Sequence, residues 1–112
     1  MKKIEAIIRA IKFDEVKEAL SKINVNFFTY YEVRGFGIEK GQAISYRGAV
    51  YDMGYIARYK IEILIDTEKV DEVMDCIAAV AKTGEAGDGK VFVSNLEKII
   101  RIRTGEVDHN AL

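Results

Sequence analysis

Apolar and polar residues alternate along Ile4-Glu5-Ala6-Ile7-Ile8-Arg9, which predicts a strand with Ile4, Ala6 and Ile8 on one face and a mixed opposite face. The period then lengthens. Phe13, Val16, Ala19, Leu20 and Ile23 recur at helical spacing, with Asp14 and Glu15 in the first turn, where the helix dipole favours acids. A second strand, dense in aromatics at Phe27, Phe28, Tyr30 and Tyr31, is expected from about Val25 to Gly35. Strict alternation returns from Arg58 to Asp66, with Ile61, Ile63 and Ile65 opposing Lys60, Glu62 and Leu64. Thr67 is placed to cap a second helix whose apolar face is Val70, Val73, Met74, Ile77, Ala78 and Ala81. Val91-Phe92-Val93 and Ile99 to Arg103 read as strands, and Thr104 to Leu112 as a mobile polar tail.

The order β-α-β-β-α-β predicts a single domain over residues 1–112 of the α+β class, ferredoxin-like, with an antiparallel sheet and both helices on one face. The uncovered face keeps Ile7, Leu64 and several aromatics of the second strand, too much apolar surface to leave in water, so a homo-oligomer is expected. The stretch from Gly35 to about Tyr55 follows neither period. Long segments of this kind are usually functional or disordered. Its glycines predict mobility, and its Ile38, Ile44, Tyr46, Val50, Tyr51, Met53 and Tyr55 suit a protein partner.

Composition narrows the function classes. The 17 basic and 18 acidic side chains give a formal charge of −1, with no basic surplus to argue for nucleic acid or an acidic membrane. The lone Cys76 forms no internal disulfide and reads as a buried thiol. His109 has no His or Cys companion, which argues against zinc. No signal peptide, membrane-length apolar span or lipidation motif is visible, and a cytoplasmic location is expected.

The candidate chemistry lies in Thr83-Gly84-Glu85-Ala86-Gly87-Asp88-Gly89-Lys90. Glycines here let backbone amides turn toward an anion, and Lys90 adds a point charge. Gly84 to Lys90 matches G-x-x-x-x-G-K, but Val91 stands where a magnesium-binding hydroxyl belongs, and a strand follows where that motif opens a helix. This is not a P-loop NTPase. The same glycines would serve equally as a plain helix-to-strand turn. Downstream, Ile100-Arg101-Ile102-Arg103 predicts two guanidinium groups on one strand face, roughly 7 Å apart. A glycine loop with a lysine and two parallel arginines suits a polyphosphate.

Five segments carry a family resemblance. Tyr46-Arg47-Gly48-Ala49-Val50-Tyr51, Thr83 to Val93 and Arg101-Ile102-Arg103-Thr104-Gly105 resemble the PII family of nitrogen-regulatory signal proteins, as do Gly35-Phe36-Gly37 and the opening Met1 to Ile8. The likeness runs over nearly the whole chain. It implies a homotrimer with ATP or ADP in clefts between subunits. Gly87, Asp88, Gly89 and Lys90 of one subunit would lie at the phosphates, with Arg101 and Arg103 arriving from the neighbour. Thr29, Glu62 and Leu64 would border base and ribose. The backbone from Gly37 to Gly41, with Glu39, Lys40 and Arg58, would form a site for 2-oxoglutarate and magnesium. The loop of about residues 37–55 would dock on ammonium transporters, nitrogen-metabolism enzymes or regulators, the first of these drawing the protein to a membrane. In some relatives the second loop tyrosine, Tyr51 here, is uridylylated.

The chain also departs from the family pattern. Val50 replaces the usual Ala or Glu before the modified tyrosine, and Ile38 stands where arginine is common. Glu39 stands for a magnesium-binding glutamine, Arg58 for a lysine that pairs with the oxoacid, and Asn26-Phe27-Phe28 for a glycine-containing turn. The leading expectation is a sensor without catalysis, in which adenylate bound at Lys90, Arg101 and Arg103 reshapes the loop from Gly35 to Tyr55. The alternatives are a relative that senses another nucleotide or small anion, and a small phosphoryl-transfer enzyme. Against the enzyme, no His, Cys or Ser is placed as nucleophile or base near the glycine loop.

Overall fold

The alternating face of the first strand sits at the centre of the core. A computed structural model describes residues 1–36 and 57–112, together with the backbone of residues 43–46 and 49–52. In chain order the elements are β1 (Lys2–Arg9), α1 (Phe13–Lys22), β2 (Thr29–Val33), β3 (Ala43–Tyr46), β4 (Ala49–Asp52), β5 (Arg58–Ile65), α2 (Val70–Ala81) and β6 (Lys90–Asn95). The main sheet has the strand order β2-β5-β1-β6, with every neighbour antiparallel. Ile4, Ala6 and Ile8 of β1 and Ile61, Ile63 and Ile65 of β5 are buried against Val16 and Leu20 of α1 and Val73 and Ile77 of α2. This is the expected α+β arrangement, with both helices on one sheet face.

The second strand begins later than its aromatics suggest, because α1 ends in a capping motif. Asn24 adopts a left-handed conformation (φ 64°). Its amide donates to the Ser21 carbonyl at 3.1 Å, and the Val25 amide donates to the Leu20 carbonyl at 2.9 Å. This is the Schellman pattern with asparagine in the glycine position, and Val25 is buried as its hydrophobic plug. Residues 25–28 are thereby committed to leaving the helix, and pairing with β5 starts at Thr29, opposite Glu62.

Other expectations need correction. Thr67 does not cap α2: it opens a short 3-10 turn, Thr67–Lys69, and no side chain caps that turn or α2. Ala78 is exposed, off the buried stripe. Between β2 and β5, where no periodic element was expected, β3 and β4 pair antiparallel in a separate two-stranded sheet. Strands of four residues are too short for their alternation to stand out among flanking glycines.

The largest change is at Ile99 to Arg103, which forms no strand. Only Ile100 and Val107 make an isolated bridge. The chain turns back at once, with the Arg101 amide donating to the Glu106 carbonyl at 2.9 Å and the Gly105 amide to the Arg101 carbonyl at 2.8 Å. The alternation has no core to face, and Ile102 is 98% exposed. The arginines therefore do not leave one strand face in parallel. The following tail is tied down. Asp108–Ala111 forms a 3-10 turn, His109 Nδ1 pairs with Asp66, and Arg101 Nη2 donates to the Leu112 main-chain oxygen at 2.8 Å.

The uncovered sheet face also differs from the apolar patch expected. Phe28 and Tyr30 belong to the helix side, with ring centroids 6.4 Å and 4.5 Å from that of Phe13. Of the strand-two aromatics, Tyr31 stays on the open face, where its hydroxyl donates to Glu62 at 3.1 Å. The centre of that face is an ionic lattice. Lys60 meets Glu5 at 2.9 Å, while Lys3 meets Glu62 at 3.4 Å and Glu5 at 3.6 Å. The Lys60 hydrogen bond holds Glu5 below its ordinary pKa. Leu64 and Phe92 remain exposed around this lattice.

Candidate nucleotide site in two halves

The glycine loop is built from inside. Asp88 accepts from the Thr83 amide at 2.8 Å, the Gly84 amide at 2.9 Å and the Thr83 hydroxyl. These bonds, the Thr83 hydroxyl foremost, hold the Asp88 carboxyl far below the usual carboxylate range. Its side chain is thus taken up in bracing the loop. An aspartate that accepts amides a few residues back is a turn device by its chemistry. Gly89 fixes where the loop meets the sheet. At φ +96° it lies so close to β1 that a Cβ would stand 1.7 Å from the Ile7 carbonyl oxygen. Only glycine allows that approach.

Two arginines then tie the loop to the sheet. Arg9 and Arg58 are register partners at the ends of β1 and β5. Arg9 Nε reaches Asp88 at 3.0 Å and its Nη2 donates to the Ala86 carbonyl at 2.6 Å. Arg58 Nη2 donates to the Gly87 carbonyl at 3.1 Å. Like charges so close are tolerated because each has an oxygen partner. Arg9 carried no signal in the sequence pattern: only the β1–β5 register brings it beside a loop about 80 residues away, an ordinary consequence of antiparallel pairing. Arg58, which the family resemblance assigned to the oxoacid, here braces the loop.

This end of the sheet holds a cavity of about 550 Å³, lined by Gly87, Asp88, Gly89, Lys90, Arg58 and Gly35 among others. Lys90 is the first residue of β6 and pairs in register with Ile7. Gly87, Asp88, Gly89 and Lys90, the residues expected at the phosphates from one subunit, therefore line one cavity.

The predicted base-side residues converge elsewhere. Thr29 and Glu62 are cross-strand partners, and Leu64 follows on the same face of β5. With Phe27 and Leu112 they line a second cavity of about 530 Å³. It shares no lining residue with the first. Along β2 the two ends are about 13 Å apart at strand rise, and the ionic lattice lies between. Arg101 lies toward the second half through its bond to Leu112, and it pairs with Glu106 at 3.1 Å. Arg103 is exposed in the turn and is not brought to either cavity.

Gly37, Glu39, Lys40 and Gly41 lie outside the described residues. Tyr51 is on β4, opposite Ile44, and its side chain is likewise outside them. Among the described residues no cluster of three or more His, Cys, Asp or Glu is arranged to hold a metal. No helix among them is long and apolar enough to cross a membrane. Cys76 is half-buried and its thiol pKa is raised by burial, which makes it a poor nucleophile.

Comparison with known proteins agrees across the chain. The family model described as nitrogen regulatory protein P-II matches residues 1–106. The nitrogen regulatory protein P-II of Nostoc punctiforme is 52% identical over 112 residues, covering all of both chains. That of Synechocystis sp. is 50% identical, and the nitrogen regulatory protein GlnK of Escherichia coli 46% identical, each over the full length of both chains.

Proposed function

The chain belongs to the nitrogen regulatory protein P-II family, and from that premise we propose that it is a non-enzymatic sensor that binds ATP or ADP between subunits of a homotrimer. The observation that carries this reading is the split site. One chain holds a braced glycine loop with Lys90 at one end of its sheet and the Thr29–Glu62–Leu64 cavity at the other, with no lining residue in common. Two copies apposed at these ends complete one site. Outer phosphates would meet Lys90 and the loop amides, Arg101 would arrive with the base-side half, and Arg103 would come from the exposed turn next to it. Outward-facing Ile102, Leu64 and Phe92 suit the interface such a site needs.

Magnesium would accompany the triphosphate, held by phosphate oxygens and Glu39. A hard cation with carboxylate and phosphate ligands is a normal magnesium set. Targets such as ammonium transporters or nitrogen-metabolism enzymes would be engaged through residues 37–55, and in the cell the protein would be cytoplasmic, drawn to the membrane by a transporter. Tyr51 is the candidate modification site, with Val50 beside it the feature against it. The same segment, with Lys40 and Gly41, would border any 2-oxoglutarate.

Calorimetric titration with ATP and ADP, then with 2-oxoglutarate in the presence and absence of Mg-ATP, tests the ligand assignment. Light scattering after size exclusion tests the assembly. A stable monomer near 12.6 kDa that binds no nucleotide would overturn the reading.

A further inference from the structure

Phe27 is the least explained large side chain at the second cavity. It is 90% exposed, while its neighbour Phe28 packs edge-on to Phe13 and Val25 is buried. Val25 turns inward as the plug of the Schellman cap at Asn24, while Phe27, two residues on, stands outside. The ring borders two concavities at once. One, of about 530 Å³, contains Thr29 and Glu62, and the other, of about 240 Å³, contains Asn24 and Asp66. Leu64 and Leu112 border both. An aromatic ring thus helps line a cavity that combines an apolar side chain with a hydroxyl and a carboxylate. That combination matches a flat heterocycle carrying a hydroxylated sugar, whose face is apolar and whose edge is polar.

Resting on the nucleotide reading above, we propose that Phe27 is the base-stacking wall of the site and makes affinity depend on the aromatic base as well as on the phosphates. A ring held 90% exposed offers nearly its whole surface to a ligand. Stacking on such a ring discriminates a nucleobase from a bare polyphosphate, because inorganic phosphate chains have no apolar face to bury.

The test compares ATP with inorganic tripolyphosphate on the intact protein, using calorimetry of wild type, Phe27→Ala and Phe27→Tyr. The expected result is a loss of about tenfold to a hundredfold in ATP affinity for Phe27→Ala. Tripolyphosphate affinity should be unchanged, and Phe27→Tyr should bind ATP like wild type. Wild type and Phe27→Ala binding ATP equally would overturn the stacking role alone, and so would an equal loss for ATP and tripolyphosphate. A Phe27→Ala chain that sediments as a smaller assembly would reassign the ring to a contact between copies. A wild-type chain that binds neither ATP nor ADP would overturn the nucleotide reading itself, and the stacking role with it.

Discussion

The two halves of the candidate site are prepared to different degrees. The glycine loop is braced within a single chain by Asp88, Arg9 and Arg58, each bonded to loop atoms. The arginine segment is a short turn with Ile100 65% and Ile102 98% exposed, and its Arg101 is bonded to the chain's own Glu106 and Leu112. One half is held by hydrogen bonds within the chain. The other bonds its cation within the chain and leaves apolar side chains exposed. On the nucleotide reading proposed above, a loop that offers amides to phosphates gains from being preorganised, whereas a segment that completes a neighbour's site would find its final partners outside its own chain.

The glycines give the strongest way to break this contrast. Gly89 and Gly105 both have positive φ, +96° and +74°. A Cβ at Gly89 meets the Ile7 carbonyl oxygen at 1.7 Å, but one at Gly105 meets nothing within 4 Å. Gly89→Ala therefore has to displace β1 or unmake the loop, and should cost about 3 kcal/mol or more, the range reserved for strain combined with a backbone clash. Gly105→Ala has only the left-handed penalty, about 1 kcal/mol. Urea unfolding of both variants measures the difference. Equal losses would mean that the loop is no more tightly set than the turn.

This contrast also marks what could be read in the sequence. The core was legible because Ile4, Ala6, Ile8 and Ile61, Ile63, Ile65 alternate with polar residues in strands that face a covered side, and burial follows the pattern residue by residue. The glycine loop was legible as a turn able to hold an anion, since its local chemistry sets its shape. Ile100-Arg101-Ile102-Arg103 has the same alternation and misled, because periodicity reports which side chains share a face and not whether any core lies opposite. Arg9 was invisible for the complementary reason. Its role depends on a register between distant strands, and no local spacing encodes that. Asn24 had a local signal, asparagine after a helical run, but the apolar Val25-Asn26-Phe27-Phe28 drew the strand boundary too early.

Two cations, one from each half, sharpen the contrast at the level of binding. Lys90→Ala and Arg101→Ala should each weaken ATP by about 1.5–3 kcal/mol, the range of a hydrogen bond to a charged group. AMP should be much less affected, since these side chains are assigned to the outer phosphates. The variants should differ in their effect on the free protein. Lys90→Ala should leave amide exchange across the fold unchanged, while Arg101→Ala releases Glu106 and Leu112 and should raise exchange over residues 108–112. Calorimetry with both nucleotides and hydrogen exchange of the unliganded variants read the two effects. Equal losses for ATP and AMP would move either side chain away from the phosphates.

The smallest expected effect concerns 2-oxoglutarate. Arg58 donates to the Gly87 carbonyl, so the side chain assigned to a dianionic oxoacid is already part of the loop's support. Glu39 places a further carboxylate where a neutral glutamine is usual. Repulsion between like charges about 4 Å apart is worth ~1–4 kcal/mol between water-like and surface-like dielectrics, and magnesium coordination by Glu39, as proposed above, would offset part of it. Mg-ATP should accordingly bind while 2-oxoglutarate binds weakly. Glu39→Gln removes the repulsion but leaves Arg58 on Gly87, so the gain should be limited to roughly tenfold in 2-oxoglutarate affinity, or ~1.4 kcal/mol. Titration of both proteins with 2-oxoglutarate over saturating Mg-ATP checks this. Tight binding by the unmodified chain, unchanged in Glu39→Gln, would mean that Glu39 is directed away from the metal and that Arg58 leaves the loop when the oxoacid arrives, which would make the braced half less fixed than its hydrogen bonds indicate.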